Sequence, residues 1–405
     1  MRGIMLPPAL LVLYSGASGF NQDRLVSSPT HLTYTTDMKT GNIPYLARLD
    51  LLRFVAAMAV VIFHFYGMAS QEVKSANPYL KVIIEHGHFG VSLFLVMSGY
   101  LMCAIYDRNP QIKYSDFIYN RLVRVGPLAL VLFLASLFAF WGKVDVTKHV
   151  INFITLQFNA DTSYQVAPLW TIAVEFQLYL IVGFLYGIIR HKGVIGFVGL
   201  LAVLGVGRFM IVTSTHKYGV FSYDSVYYSI FGRIDQFAIG MIAYMLSKNR
   251  FGTFRNPAHS LMAILSLLTL FFLSSSIDWN ADTLASDLAR TYYLTAEALA
   301  CAYLMISVCN MSMKIPGEKY LAWLGMTSYS IYLWHQLIIE TYMHRAGEWV
   351  ATLSANEFML QTALIVIPVV IAMSALSYKY IEEPILSLRK SYQKQKQAQP
   401  LEKAA

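Results

Sequence analysis

The segment RLDLLRFVAAMAVVIFHFYG, beginning at Arg48, is apolar enough for lipid yet carries Arg48, Asp50, Arg53 and His64. A charged side chain deep in a bilayer costs about 2.5 to 3.5 kcal/mol even on a lenient insertion scale, so a function or a partner must offset it. On a helix, Arg53 and His64 are eleven residues apart, close to three whole turns, and share a face ~16 Å apart along the axis. Asp50 lies one turn before Arg53 and joins that face. An imidazole, with an unperturbed pKa of about 6.5, is suited to removing a hydroxyl proton near neutral pH. The structural alternative is an arginine that snorkels to headgroups and a histidine hydrogen-bonded in the core.

Later apolar segments repeat the pattern. Glu175 with Tyr179 one turn on, Arg208, Arg233 with Asp235, Glu297, and His335 fall at a depth similar to that of His64. Ionisable groups inside a membrane usually line a pathway or a site, although pairs such as Arg233 with Glu175 would also account for some of them. If His64 is a base, Glu175 is the expected partner that orients its ring and stabilises the imidazolium. Arg208 or Arg233 would stabilise an oxyanion. Trp170 could stack on a sugar ring. His335 either shapes an acceptor pocket or hydrogen-bonds within its own helix. An acyl-histidine intermediate is equally compatible with these residues.

A second constellation lies before the third apolar segment. In DFIYNRLVRVGPL, Arg121 and Arg124 stand at i and i+3 on one helical face. Ordinary anchoring at the membrane surface is one explanation. The other is a phosphate clamp, because guanidinium forks bind phosphate oxygens in pairs, as a donor such as coenzyme A would need. Arg48, Ser98 and Gly99 are assigned to the same donor end; small residues let a ligand or a helix approach closely. EHGHFG, with Glu85, His86 and His88, reads as a solvated outer loop, since histidines at i and i+2 chelate poorly on a helix. No metal site, phosphate loop or dinucleotide fingerprint is found.

These residues must be positioned by membrane helices. The 405 residues are 56% hydrophobic and 13% charged, against about 25% charged in soluble chains. Runs of about 20 apolar residues, enough to cross ~30 Å of hydrocarbon, fall near 50–69, 88–106, 125–142, 167–189, 193–213, 226–246, 257–276, 290–312, 320–343 and 358–380. The expected fold is all-α and polytopic, with about ten transmembrane helices. Lys and Arg divide 20 to 7 between the two sides, which puts both termini in the cytoplasm. The net charge of +8 is thereby explained without nucleic acid. Residues 1–44 are expected to be a flexible extension rather than a cleaved signal, 45–390 one membrane domain, and 391–405 a polar tail. Cys103, Cys301 and Cys309 sit in apolar runs without paired spacing, so no disulfide framework is expected.

The residues then resemble a known family. Arg53 with His64 after ten intervening residues, GVSLFLVMSGYLM, the Arg121 and Arg124 pair, LWTIAVEF with Trp170 and Glu175, GRIDQFAIGMIAY, SYSIYLWH ending at His335, and YIEEP from Tyr380 to Pro384 recur in order over about residues 45 to 390. Together they resemble the acyltransferase family 3 membrane acyltransferases, which act on surface polysaccharides, lipopolysaccharides and other glycans. The resemblance implies transfer of an acyl group, acetyl being the commonest, from cytoplasmic acyl-CoA to a glycan or glycolipid hydroxyl on the outer side of a bacterial inner membrane. His64 would be catalytic, with Arg53, Arg121 and Arg124 handling the donor. Ser92 stands where the family often has an acidic residue, Leu95 where it often has a second Phe, and Tyr100 where Phe is usual. The few residues after Lys390 are too short for the extracytoplasmic domain of some members, so a stand-alone transferase module is expected. The acceptor and the association of copies stay open. Two other classes compete: a proton-coupled exporter, which would not need the Arg121 and Arg124 clamp, and a non-catalytic scaffold, in which His64 would be dispensable.

Overall fold

In hydrocarbon a chain must satisfy its own backbone polar groups, so long apolar runs become helices. The computed structural model describes residues 35–36, 44–139, 141–142, 144–156, 168–218, 226–248, 253–279, 281 and 283–392. The expected tail beyond residue 392, and all of the N-terminal extension except two strand fragments, lie outside the described residues. Those fragments, β1 (Thr35–Thr36) and β2 (Pro44–Tyr45), pair antiparallel. Among the described residues, the regular elements after them are helices: α1 (Ala47–Gly67), α2 (Gln71–Ser75), α3 (Pro78–Glu85), α4 (Phe89–Arg108), α5 (Tyr114–Ala139), α6 (Val146–Thr155), α7 (Leu169–Tyr218), α8 (Ile230–Ser247), α9 (Ala258–Ser275), α10 (Leu284–Asn310), α11 (Glu318–Met326), α12 (Ser328–Val350), α13 (Ala355–Gln361), α14 (Ile367–Ser377) and α15 (Glu383–Leu386).

Seven helical stretches among the described residues are long and apolar enough to cross a membrane: 47–67, 78–108, 114–138, 169–214, 258–275, 284–310 and 355–386. The chain is a multi-pass membrane protein. Among the described residues the ten expected segments lie largely on helix, but four are divided differently. The fourth and fifth join in α7, which bends at Gly193, where φ +69° and ψ −178° suit a residue without Cβ. The ninth is cut at Thr327 into α11 and α12. The tenth is interrupted by π-helical turns at Thr362–Val366 and Tyr378–Glu382. EHGHFG is not the expected solvated loop, because α3 continues almost into α4 and buries His86 and Gly87.

Close backbone approach fixes α1 and α4 among their neighbours. A Cβ on Gly90 would lie 2.3 Å from the Ala56 carbonyl oxygen, and one on Gly325 1.8 Å from that of Asp50, so α4 and α11 both rest on α1. A Cβ on Gly99 would meet the Phe237 carbonyl at 1.9 Å, and one on Gly240 that of Val96 at 2.0 Å, which locks α4 against α8. Gly99, assigned above to the donor site, is thus taken up by helix packing, the usual place of small residues between membrane helices.

Candidate active site

Two polar clusters lie in the bundle, and α1 runs between them. At the first, Arg53 donates to Asp50 at 2.8 Å. Arg124 of α5 lies within electrostatic reach of Asp50, of Tyr329 of α12 and of Glu382. Ser330 donates to Glu382, and Tyr329 donates to the Val125 carbonyl at 2.5 Å. Arg121 stands over the rings of Phe117 and Tyr179, at 5.6 and 5.8 Å, and its buried Nε has no partner. Tyr179 and Ser98 both donate to Glu175, Ser98 at 2.9 Å. The expected clamp arginines, Arg53, Ser98 and Glu175 therefore share one region.

Arg48 does not join them. Its Nε meets Glu318 at 3.1 Å, and its terminal nitrogens donate to the carbonyls of Val308, Met311 and Met313. A cation over the unpaired carbonyls of a helix C-terminus is favourable, and here it ties α1 to the end of α10.

The second cluster gathers around His64, ~16 Å from Arg53 along α1. The half-buried His64 ring lies 5.0 Å, centroid to centroid, from that of His335. His335 is fully buried, and its Nδ1 is 2.5 Å from the Tyr332 carbonyl. That contact makes Nδ1 the donor and leaves Nε2 as an acceptor, and Nε2 has no partner. The neighbour of His64 is thus His335, not the expected Glu175. Glu175 bonds to Ser98, which lies six residues beyond Ser92 on α4, or ~9 Å along the helix. The single level expected for all the ionisable groups is in fact two.

Around this pair, Arg233 donates from Nε to the Tyr227 carbonyl at 3.0 Å and from Nη1 to Gln236 at 3.3 Å, while Nη2 has no partner. Its guanidinium lies over the rings of Tyr227 at 4.0 Å and Trp170 at 5.3 Å. Arg208, by contrast, is neutralised by Asp235 at 2.6 Å, which also accepts from Thr295. Glu297 and Ser92 are both fully buried, and Ser92 donates to Glu297. A carboxylate is therefore present beside Ser92 after all, supplied by α10. Sequence reasoning set Glu297 only among the ionisable groups and set His88 aside. Their signal was a carboxylate and a histidine on apolar helices, but only the packing of α4 on α10 brings them together. Among the described residues there is no group of three side chains able to hold a metal.

The deciding comparison is with a family model described as an acyltransferase domain, which matches residues 46–378. The chain belongs to acyltransferase family 3. Its relatives include a Staphylococcus aureus (strain COL) protein named "Putative O-acetyltransferase SACOL0978", 25% identical over 385 residues, which cover 85% of this chain and 58% of that protein. O-acetyltransferase OatA of S. aureus (strain NCTC 8325 / PS 47) is 24% identical over 379 residues, covering 84% of this chain and 57% of OatA. "Putative acetyltransferase ORF330" of Acidianus two-tailed virus is 25% identical over 324 residues, 76% of this chain and 87% of that one. The chain thus spans a little under three fifths of the length of the staphylococcal relatives. No solved structure matches it.

Proposed function

We propose that this family member is an O-acyltransferase that moves an acyl group, in the first instance acetyl, from acyl-CoA to a hydroxyl of a glycan or glycolipid. The observation that carries this reading is the pairing of His64 with His335 on a helix whose other end holds Arg53 near Arg124. In this reading ten helices cross a bacterial inner membrane with both termini inside. The Arg53 end of α1 then faces cytoplasmic donor and the His64 end faces the outer acceptor.

The donor thioester is already activated, so the protein must supply a base, an oxyanion partner and proximity. His64 takes the proton of the acceptor hydroxyl as the oxygen attacks the thioester carbonyl carbon. The carbonyl oxygen becomes an oxyanion, and Arg233, whose Nη2 is free, is better placed to meet it than Arg208, which Asp235 neutralises. Collapse expels the CoA thiolate, which the imidazolium can reprotonate. His335 takes the orienting role that the sequence suggested for Glu175. Arg121 and Arg124 bind donor phosphates, and Glu175 and Ser98 belong with that half of the site. Trp170 and Arg233 line the acceptor side.

The test is release of free thiol from acetyl-CoA by the purified, detergent-solubilised protein, with and without glycans, for the wild type and His64→Ala. The expected result is thiol release in the wild type and a loss of at least about a hundredfold in the variant. A wild type that neither binds acetyl-CoA nor releases thiol with any acceptor would instead bring the exporter reading forward.

A further inference from the structure

Beside the His64 and His335 pair, two buried polar atoms face each other without hydrogen-bond partners, Nδ1 of His88 and Oε1 of Glu297, and the buried hydroxyl of Tyr293 stands at the edge of the same niche. Nδ1 and Oε1 are 3.9 Å apart, too far to bond to each other. The Tyr293 hydroxyl is within hydrogen-bonding reach of Glu297 and Ser274, and its ring is 6.4 Å from that of His88. The second oxygen of Glu297 accepts from Ser92, and Gln236 donates to Ser92 at 2.9 Å. The carboxylate is therefore aimed by a chain of hydrogen bonds while its other oxygen is left open. An unmade hydrogen bond in a buried place is costly and rare, and two facing each other in one niche call for a shared occupant.

The spacing suits a hydroxyl. An oxygen about 2.8 Å from both Nδ1 and Oε1, which are 3.9 Å apart, subtends an angle of roughly 90° between them. It can accept from Nδ1–H and donate to the carboxylate. The niche is reached through His88, whose side chain is 24% exposed, while that of Glu297 is at 0%. His86, the other histidine of the motif, is unavailable, because its Nδ1 meets the Val82 carbonyl at 2.7 Å and its ring stacks on Phe271. Phe63 separates the niche from the reacting base, with its ring 5.0 Å from that of His64 and 5.8 Å from that of His88.

We propose that His88, Glu297 and Tyr293 form an acceptor subsite, which holds one hydroxyl of a sugar while another hydroxyl of the same sugar reacts at His64. This rests on the acyl-transfer reading above, and it adds the half of the acceptor that does not react. The subsite discriminates polyhydroxylated acceptors from simple alcohols, since a single hydroxyl cannot occupy both places.

The test measures acetyl transfer from acetyl-CoA to maltotriose and to chitotriose by the purified full chain, with thiol release in the absence of acceptor followed in parallel. Glu297→Gln is expected to raise KM for the saccharide about ten- to a hundredfold. Tyr293→Phe is expected to raise it several-fold. KM for acetyl-CoA and acceptor-free thiol release stay at wild-type values in both. Saccharide KM unchanged in both variants, or acceptor-free thiol release falling in step with transfer, overturns the subsite. A wild type that hydrolyses acetyl-CoA but acetylates neither sugar also overturns it while leaving acyl-CoA chemistry intact. A wild type inert towards acetyl-CoA overturns the reading beneath it.

Discussion

His335 is the residue on which the site geometry turns, because its two ring nitrogens have separable duties. Nδ1 is held by the Tyr332 carbonyl of its own helix at 2.5 Å, and Nε2 is buried without a partner in a ring 5.0 Å from that of His64. Asparagine can keep a donor near the Nδ1 position but has nothing at Nε2, whereas glutamine reaches the Nε2 position and gives up the inner bond. His335→Asn is therefore expected to fold as the wild type does and to lose roughly a hundredfold in kcat, with KM for acetyl-CoA unchanged. Equal kcat in His335→Asn and wild type would reduce His335 to packing. The motif SYSIYLWH made His335 visible in the sequence but left its duty open between pocket and helix bond. The structure shows the helix bond at Nδ1 and leaves Nε2 without a partner. Arg48 is the opposite case. In the sequence it is indistinguishable from Arg53, five residues on, and only the arrival of the α10 C-terminus and Glu318 beside it separates a helix staple from a member of the polar cluster.

At the scale of elements, the site depends on how closely α1, α4, α8 and α11 approach. The glycines at these crossings carry that dependence, since a methyl group on Gly325 would stand 1.8 Å from the Asp50 carbonyl oxygen and one on Gly99 1.9 Å from that of Phe237. Neither obstacle is a flexible side-chain end, so backbone must move. Gly325→Ala and Gly99→Ala are expected to lower the thermal midpoint in detergent by several degrees, corresponding to about 1 to 3 kcal/mol for an overpacked core. Gly187→Ala, with no atom within 4 Å of its Cβ, is the control and should match the wild type or exceed it, as alanine is the better helix former. A midpoint equal to wild type in Gly325→Ala would mean that α11 does not rest on α1 as described. Helix existence was legible because hydropathy and length decide it; the helix breaks were less so. Gly193 and Thr327 interrupt runs whose apolar character hardly changes, and the lateral pairing of helices has no signature in a single sequence. That is why Glu175 was assigned to His64: depth along each helix can be counted from the residues, whereas which faces meet cannot.

At the scale of the molecule, the direction in which α1 crosses the membrane decides which cluster would meet the cytoplasmic acyl-CoA of the proposed reaction. On the proposed topology of ten crossings, Lys and Arg fall 20 to 7 on the side that bears the Arg53 end, and the positive-inside rule would then put that end in the cytoplasm. Two exposed serines outside the long apolar stretches' centres report on this: Ser75 at the end of α2, between α1 and α3, and Ser387 just after α15. The native thiols compete little, since Cys103 and Cys301 are buried and Cys309 is half-buried. In intact spheroplasts, a membrane-impermeant maleimide is expected to label Ser75→Cys and to leave Ser387→Cys unmodified until the membrane is permeabilised. The reverse pattern would invert the bundle, turn His64 towards the cytoplasm and remove the reason for a donor clamp at Arg121 and Arg124. Labelling of both from outside would mean an even number of crossings between them, so that one of the helices outside the seven most apolar stretches, α8 or α12, lies within the bundle without crossing it.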